Sequence, residues 1–537
     1  MNKNISEEYK VFFNGKIYTS NKNQENVTAF VCKNDKFIYV GSDEKALKFK
    51  THNTFDLKGK RVLPGFMDTH CHYVMMSLKS LEDSIEIEQN MSHLKVLEMI
   101  KEIVSKKSVD DLPIVFGLGY GTDCIPLASE LDKAVNDRPV FLYDSGGHSG
   151  WMNTKLMELI NLTKDTPDPK PGVCYFKRDE NGNPTGQAVE NDAMVYVERQ
   201  LGASSPELLE KQLPEINRIA NSFGYTSVFD AGFIFSGEKR ILETLNSMNL
   251  TLRYFTSFYY DGLSDKEGFI KEMIECRKLY TSELLRPTTL KMFKDGTIEA
   301  FSAFMFDEYE KPGHGKGAKT LKHDQLLEMG KISCAENFNI HIHAIGDAAI
   351  EDVLNIYDEL GDIAGTKTIA HVQVLPENGL KRFEKQNEII YQTTPVWLGF
   401  DQFTKDVLGP ERYIRQMPLK TLKNNGTTLT FGSDAPVSGG LIGLNPFINI
   451  CCAVNRYDQT RFIPPSNEAI TVEDCIDAYT INGAKQVNSE NEFGTIEKGK
   501  SADFIILNQD ILAIDTNKIQ NTKVLETWFK GNCIFKV

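Results

Sequence analysis

Two pairs of histidines share one spacing among the ten histidines of the chain. His70 and His72 directly follow one apolar run, and His341 and His343 end another. Residues i and i+2 of a β-strand point to the same side, so each pair can aim two imidazoles at one point. Converging imidazoles are typical ligands of zinc. A single pair is equally well explained by two loop histidines, but two pairs after apolar runs favour a metal site.

Three further polar residues occupy comparable positions. His371 ends TKTIAH, Asp434 ends TLTFGSD, and Lys291 lies within TLKMFKD, a run that otherwise looks buried. A charged lysine is costly to bury. It either pairs with an acid such as Asp295, or it is a neutral amine that reacts with carbon dioxide. The resulting carbamate is an anionic oxygen ligand that could bridge two metal ions.

The elements that must position these residues alternate along the chain. Short apolar runs at 288–296, 338–347, 366–375, 388–397 and 427–436 are separated by amphipathic segments. Strand followed by helix, repeated, indicates parallel βαβ units. Over several hundred residues this pattern predicts a (β/α)8 barrel. Each polar residue then falls near the carboxyl end of a strand, where barrel enzymes carry their chemistry.

Both ends of the chain depart from this alternation and predict β-hairpins, as in YKVFFNGKIYTS and VLETWFKGNCIFKV. A lone hairpin is not stable, so we expect residues 1–62 and 488–537 to form one composite β-sandwich. The barrel then spans 63–487. Between the run ending at His72 and the next barrel strand at 224–232, the chain is too long for a βα loop. We therefore predict an inserted subdomain at about 75–215, covering the barrel mouth.

Composition excludes several classes of protein. Hydrophobic residues make up 41% and charged residues 25%, which is typical of globular chains. The net charge of −14 disfavours nucleic acid as a partner. No stretch is apolar and long enough to cross a bilayer, and the first ten residues lack the apolar core of a signal peptide. Ten cysteines without C-x-x-C spacing predict reduced thiols and a cytoplasmic location.

Nine motifs in order give the sequence a family resemblance: LPGFMDTHCH (63–72), GGHSGWMN (146–153), NPTGQAVE (183–190), GYTSVFDAG (224–232), LKMFKDGT (290–297), IHAIGDAAI (342–350), HVQVL (371–375), FGSDAPV (431–437) and GTIEKGKSADFIIL (494–507). Together they cover nearly the whole chain. The pattern resembles the amidohydrolase superfamily, and within it the "amidohydrolase 3" branch that includes N-substituted formamide deformylases.

The resemblance implies a distorted (β/α)8 barrel and one or two divalent metal ions, with zinc favoured. Carried over by position, the metal-binding and catalytic set is His70, His72, Lys291, His343, His371 and Asp434. The resemblance also favours a contact between substrate and His148, which GGHSGWMN places in a loop and which the sequence alone explains equally well as an exposed turn histidine. Glu190, after the turn NGNPTG, is expected to face the same pocket. His341 matches no ligand position and is expected in the pocket wall or core. Ala370 and Phe301 stand where relatives usually carry an acid and an arginine, respectively. Both differences could reshape the pocket, so we do not carry the substrates of characterised relatives over to this chain.

We therefore expect a metal-dependent hydrolase that cleaves a non-peptide carbon–nitrogen bond of a small molecule through metal-activated hydroxide. Asp434 would take the proton from the water and return it to the leaving nitrogen. Two alternatives stay open. The same site could hydrolyse esters, lactones or cyclic imides, or the chain could be an inactive binding or scaffold homologue, which would be expected to lose ligands. The sequence is compatible with a monomer or a homodimer.

Overall fold

A parallel β-barrel forms the centre of the molecule in the computed structural model. The structure describes residues 9–537 except 25, 50, 79–83, 89–90, 122–123, 146–147, 202–205, 233–237, 263, 386–387, 398–401, 438–440 and 457–465. Eight parallel strands lie in chain order around the sheet, and we label them β1 to β8: Phe66–Cys71, Tyr225–Asp230, Arg253–Tyr259, Leu285–Phe293, Asn339–Ala344, Lys367–His371, Ile389–Thr393 and Thr428–Phe431. The predicted (β/α)8 barrel is confirmed.

The first and last strands meet just beyond the carboxyl end of β8. The backbone N–H of Asp434 donates to the carbonyl oxygen of His70 at 2.7 Å, and the N–H of His72 donates to that of Ala435 at 2.9 Å. Gly432 lies so close that a Cβ atom there would be 2.4 Å from the His70 nitrogen. We call these contacts the closing seam. Glycine is required at 432 because any side chain would push the two strands apart.

Helices cover the outside of the barrel, and others lie in the long connection between β1 and β2 and beside the terminal strands. The described helices are Asp43–Ala46, Tyr73–Leu78, His93–Ser105, Ala128–Ala134, Thr154–Leu159, Asn191–Leu201, Pro206–Ser222, Glu238–Ser247, Lys266–Tyr280, His323–Ala335, Asp347–Leu360, Gly379–Lys385, Gln402–Ile414, Leu419–Asn424, Leu441–Leu444, Pro446–Asn455, Val472–Tyr479 and Ile481–Gln486, with 3-10 turns at Pro395–Trp397, Ser466–Glu468 and Thr516–Asn521. No helix in these described ranges is long and apolar enough to cross a membrane.

The helix Asp347–Leu360 shows why these segments form. Its Ile350, Val353 and Leu354 recur at helical spacing and belong to the same hydrophobic core as Ile340 and Ile342 of β5. Both faces of β5 are covered, so all six of its residues are buried. Burying one such side chain contributes about 1.5–3 kcal/mol.

A six-stranded mixed sheet occupies the long connection between β1 and β2. Its strands, in spatial order, are Tyr175–Arg178, Pro184–Val189, Ser149–Met152, Val140–Asp144, Val115–Tyr120 and Ser84–Glu86. A separate hydrophobic cluster around Trp151 supports it. The expected inserted subdomain is therefore present. Its limit at about 215 stays a prediction: that position falls inside Pro206–Ser222, a helix whose Leu209, Leu213 and Ile216 pack on the barrel core.

Strands from both ends of the chain form two further sheets. The first has the order Lys36–Gly41, Ala29–Lys33, Tyr9–Phe13 and Asn53–Asp56; the second has the order Lys16–Ile17, Arg61–Pro64, Phe504–Leu507, Val524–Phe529 and Asn532–Lys536. One hydrophobic cluster contains side chains of both sheets. The composite β-sandwich expected from the termini is thus observed, while the exact boundaries at 62 and 488 stay predictions.

Aromatic packing at the centre of this sandwich yields a stability prediction. The Phe12 ring is fully buried and lies 4.9 Å from the rings of Phe30 and Phe504 and 5.1 Å from that of Trp528. Phe12→Ala should lower the free energy of unfolding by about 3–5 kcal/mol because it leaves a cavity. Urea denaturation followed by circular dichroism measures this. Phe306→Ala, at a site 49% exposed, is the control, and equal losses in both variants would contradict the prediction.

Candidate active site

The carboxyl ends of the barrel strands bring together the six side chains of the predicted metal-binding set. β1 carries His70, with His72 just beyond it; β4, β5 and β6 carry Lys291, His343 and His371, and Asp434 follows β8. All six are at most 5% exposed. The register of the strands places these side chains at similar heights in the barrel. Phe293, two residues after Lys291, pairs with His343, and Ala344, next to His343, pairs with His371.

His70, His72 and Asp434 form the tightest group, which we call the His–His–Asp cluster. The Asp434 Oδ1 atom lies 3.6 Å from Nε2 of His70 and 3.4 Å from Nε2 of His72. One ligand atom from each of the three residues lies within 4.8 Å of the others. Two imidazole nitrogens and a carboxylate oxygen are a donor set that suits zinc and similar divalent ions. The cluster therefore fits a divalent metal site.

Hydrogen bonds behind the cluster hold its rings in place. Nδ1 of His70 lies 3.0 Å from Oε1 of Gln392, and Nδ1 of His72 lies 3.4 Å from the carbonyl oxygen of Gly232. These acceptors favour a proton on Nδ1 and leave Nε2 as the ligand atom. Burial, followed by the charge of Lys291, holds the pKa of His70 well below its ordinary value. His70 is thus neutral, as a metal ligand must be.

His343 and His371 form a second pair beside the cluster, with ring centroids 4.6 Å apart. Nδ1 of His371 lies 4.0 Å from Oδ2 of Asp434. Nε2 of His343 lies 3.2 Å from the Gly296 carbonyl oxygen, which leaves Nδ1 as its ligand atom. Burial is the main reason that the pKa values of both histidines fall well below the ordinary value. Both imidazoles are therefore neutral and available as donors.

Lys291 lies among these imidazoles. Its Nζ atom is 3.5 Å from Nε2 of His70, and the residue is fully buried. Burial lowers the pKa of Lys291 to about 7, against the opposing attraction of Asp434. Asp295, the alternative partner, instead accepts the backbone N–H groups of Ile345 at 3.0 Å and Gly346 at 2.8 Å. Lys291 therefore has a large neutral fraction near neutral pH, as carbamate formation requires.

His148 and Glu190 reach the same pocket from the inserted subdomain. Nδ1 of His148 lies 2.6 Å from Oε2 of Glu190, and the His148 ring centroid lies 6.0 Å from that of His343. Burial lowers the pKa of His148, but the charge and hydrogen bond of Glu190 outweigh burial and raise it to about 9. The two predicted substrate-contacting residues are thus a buried ion pair beside the metal-binding set.

Two polar residues at the site were not predicted from the sequence. Asp68 accepts the N–H of Ser433 at 2.8 Å and the Tyr73 hydroxyl at 3.0 Å, so its carboxylate reinforces the closing seam. Gln392 orients His70. A polar residue inside a buried strand, such as Gln392 in IIYQT, is the one signal that could have indicated either of them.

His341 lies behind the ligand set. Its Nε2 is 3.1 Å from Nδ1 of His70, the nitrogen on the far side from Asp434, and its ring packs on Phe229 at 4.8 Å. The position of His341 agrees with a place in the pocket wall or core. It also explains why His341 and His343 do not both offer ligand atoms to one metal ion. His343 faces the ligands, whereas His341 supports His70.

Two proposed ligands have unusual backbone angles. His371 has φ of 73° and Asp434 has φ of 50°, both in the left-handed region that non-glycine residues rarely adopt. Such conformations cost on the order of 1–3 kcal/mol and persist only where the surroundings impose them. At Asp434 the closing seam supplies that constraint, and the strained turn aims the carboxylate at His70 and His72.

Comparison with known proteins identifies the family. The model of the amidohydrolase family matches residues 53–535. The chain belongs to the amidohydrolase family. The resemblance drawn from the motifs is thereby confirmed, and the coarser functional expectation, a metal-dependent hydrolase of this family, is supported.

Individual amidohydrolase relatives cover most of the chain. The exoenzymes regulatory protein AepA of Pectobacterium carotovorum is 30% identical over 435 residues, 79% of this chain and 93% of its own length. The N-substituted formamide deformylase of Arthrobacter pascens is 25% identical over 89% of this chain and 88% of its own. A metal-dependent hydrolase structure from Pyrococcus horikoshii superimposes with a TM-score of 0.74 at 22% identity, covering 95% of this chain and 99% of that one. This last similarity supports the fold.

Metal content tests the His–His–Asp cluster directly. We expect the purified protein to contain a divalent metal, and His72→Ala to lose at least most of it, because one of two converging imidazoles is gone. Inductively coupled plasma mass spectrometry gives metal per chain. His52→Ala, at an exposed histidine, is the matched control. Unchanged metal content in His72→Ala would show that this cluster does not hold the ion.

Proposed function

We propose that this amidohydrolase hydrolyses a non-peptide carbon–nitrogen bond of the amide type in a small molecule. The observation that carries the proposal is the convergence of Asp434 Oδ1 on the two Nε2 atoms of His70 and His72, all three of them buried residues. The name of the formamide deformylase relative supports a carbon–nitrogen bond. Esters, lactones and cyclic imides remain the alternative substrates for the same residues.

One or two divalent ions would be held by His70, His72, His343, His371, Asp434 and a modified Lys291, with zinc the favoured ion. Bound metal supplies Lewis acidity, which polarises a carbonyl group and lowers the pKa of water. The protein's own part is to hold the neutral imidazoles in fixed orientations. The carbonyl oxygens at Gly232 and Gly296 and the Gln392 amide do this.

The carbamate on Lys291 is part of the proposal. The lone pair of the neutral amine attacks the carbon of carbon dioxide, an N–C bond forms, and one proton leaves to solvent. An anionic oxygen ligand replaces a buried amine whose charged form is costly in that environment. The lowered pKa of Lys291 supports this step because the amine reacts only when neutral.

Asp434 is the proposed proton carrier. Its carboxylate accepts a proton from the attacking water, whose oxygen adds to the carbonyl carbon. When the carbon–nitrogen bond breaks, Asp434 gives that proton to the leaving nitrogen. The strained backbone at Asp434 supports the role, since it fixes one carboxylate within reach of both imidazoles.

The type of ligand, the absence of a nucleic-acid partner and the cellular location of the enzyme are also proposals. A small molecule fits a recessed site inside a barrel, and a net charge of −14 disfavours nucleic acid. All ten cysteines are free thiols, which supports the cytoplasm as the location.

A regulatory binding role is the second candidate function, favoured by the printed name of the AepA relative. Turnover separates the two candidates. A screen of N-formyl amines, N-acyl amines, esters and cyclic amides should find a substrate for the metal-loaded protein. A metal-loaded protein that turned over none of them while binding a ligand would favour the regulatory role.

Chemical rescue tests Lys291. Lys291→Ala should lose activity on the screened substrate, and acetate or propionate should restore part of it by supplying the missing carboxylate. Activity assays with and without the acids measure the rescue. Chloride at the same ionic strength is the control, and so is Lys48→Ala at an exposed lysine. Equal effects of chloride and acetate would argue against a carbamate.

Asp434→Asn should reduce kcat by at least about 10²–10⁴-fold, the usual contribution of general acid–base catalysis. The amide is nearly isosteric, so folding and much of the metal should survive. Steady-state kinetics and metal analysis on the same preparation check both. Asp165→Asn, an exposed site, is the control. Near-normal kcat at full metal occupancy would rule out the proposed proton path.

A further inference from the structure

A cavity of about 450 Å³ lies at the amino-terminal end of the barrel, away from the proposed metal ligands. Thr427 and Thr428, at the start of β8, line it, whereas Asp434 follows the carboxyl end of the same strand. The volume is within the range of about 300–1,000 Å³ that is usual for small-molecule sites. We call this space the basal cavity. It is separate from the candidate active site.

The basal cavity lies between the β-sandwich and the barrel. A loop at residues 20–22 and a segment at residues 495–500 line it from the sandwich side. The helices Val472–Tyr479 and Ile481–Gln486 line it from the barrel side. A molecule bound in the basal cavity would therefore contact both units of the protein.

The lining of the basal cavity is positively charged, although the whole chain carries a net charge of −14. Four lysines face three acids there: Lys22, Lys423, Lys485 and Lys500 against Asp474, Asp477 and Glu497. Each acid has a partner. Nζ of Lys423 lies 3.1 Å from Oδ2 of Asp474, and Nζ of Lys500 lies 3.4 Å from Oε2 of Glu497. Asp477 accepts the Tyr18 hydroxyl at 3.1 Å.

Lys22 and Lys485 are the lysines of the basal cavity that form no ion pair within the described part of the chain. Lys22 acts on Asp477 only through its charge at longer range. One of the two lysines belongs to the sandwich side and the other to the barrel side. A lysine ammonium group is a compact charge with three donors, which suits carboxylate and phosphate oxygens.

A buried hydroxyl group adds a hydrogen-bond donor to the same lining. Thr427 is 5% exposed, and its Oγ1 atom has no hydrogen-bond partner among the described residues. A buried polar group without a partner is unfavourable, so a ligand oxygen that accepted this hydroxyl would remove that cost. The donor and the two unpaired ammonium groups together favour a ligand rich in negatively charged oxygen.

The helix Ile481–Gln486 connects the basal cavity to the closing seam. Three of its residues, including Lys485, line the cavity. Its last residue, Gln486, donates from Nε2 to the carbonyl oxygen of Thr69 at 2.7 Å and accepts the Thr430 hydroxyl at 2.6 Å. Gln486 thus spans β1 and β8, the two strands that the closing seam joins. A ligand that fixes Lys485 also restrains this link.

We propose that the basal cavity binds a small dianion, a dicarboxylate or a phosphate, between Lys22 and Lys485, and that its occupation stabilises the junction of β1 and β8. No covalent bond forms or breaks. Two ammonium groups from separate units fit a ligand with two negative charges better than a ligand with one. The site requires no hydrolysis, so this inference is independent of the proposed function.

Isothermal titration calorimetry of the metal-loaded protein with succinate and with inorganic phosphate, at low ionic strength, tests the site. We expect saturable binding of at least one dianion. Succinate alone would mark a dicarboxylate site, and phosphate alone would mark a phosphate site. Acetate should bind at least about threefold more weakly, because one charge engages one ammonium group. Binding of neither dianion, or acetate binding as tightly as the dianion, would overturn the proposal.

Lysine substitutions assign that binding to the basal cavity. Lys22→Gln and Lys485→Gln should each weaken it about 3- to 5-fold, the effect of an exposed ion pair, and the double variant about 10- to 25-fold. Lys498→Gln, at an exposed lysine that does not line the cavity, is the matched control. A dianion bound at the proposed metal site would be insensitive to all these changes. Equal affinity in the double variant and the control would therefore overturn the site.

Hydrogen–deuterium exchange followed by mass spectrometry tests the link to the closing seam. Residues 66–71 of β1 do not line the basal cavity, so slower exchange there at saturating dianion would report the link. Gln486→Met keeps the size of the side chain but loses both hydrogen bonds, and should bind the dianion while losing this response. Lys485→Gln should lose the response at the same dianion concentration, which keeps the test decisive if Gln486→Met is unstable.

Unchanged exchange of β1 in the unmodified protein at saturating dianion would overturn the link to the closing seam. Metal analysis of the same preparation separates this inference from the proposed function. Normal dianion binding by a protein that cannot take up metal would defeat the proposed function and leave the basal cavity as a binding site.

Discussion

The backbone hydrogen bonds between His70 and Asp434, and between His72 and Ala435, are the contacts on which the site depends. They join the first barrel strand to the last, and they do so at the residues that form the His–His–Asp cluster. Barrel closure and assembly of the proposed metal site are therefore one event. Asp68, which accepts the Ser433 N–H, and Gly432, which permits the close approach, both serve this junction.

Closing the barrel at this point buries many polar groups, and the surrounding contacts offset that cost. A buried group without a partner costs about 1–3 kcal/mol. His70, His72 and His343 each place one ring nitrogen beside an oxygen acceptor, and Asp295 receives backbone N–H groups just beyond the end of β5. Burial keeps His70, His343 and His371 uncharged. The result is a pocket of neutral donors around one carboxylate, which suits a cation.

Most of the fold could be predicted from local patterns in the sequence, and the proposed metal ligands were predicted from those patterns together with the family resemblance. Apolar runs give the strands, and the parallel arrangement brings the polar residues at their carboxyl ends together. The supporting contacts could not be predicted. Ser302 and Glu190 are 112 residues apart, and Asp68 and Ser433 are 365 apart, so no spacing signals their meeting. The spacing likewise could not show which of His341 and His343 is the proposed ligand, since both point to the same side of one strand. Their different partners, His70 for His341 and the Gly296 carbonyl oxygen for His343, become visible only in the fold.

The sandwich built from both ends has a consequence for synthesis on the ribosome. Strand Arg61–Pro64 pairs with Phe504–Leu507, and Lys10 reaches Gly531 through its Nζ atom at 2.6 Å. The strands before residue 65 are therefore synthesised long before the strands beyond residue 503 that cover their edges. During that interval they expose unpaired backbone edges and apolar faces of the kind that aggregate and that chaperones bind. Protection of these edges is therefore complete only after the strands beyond residue 503 have been synthesised.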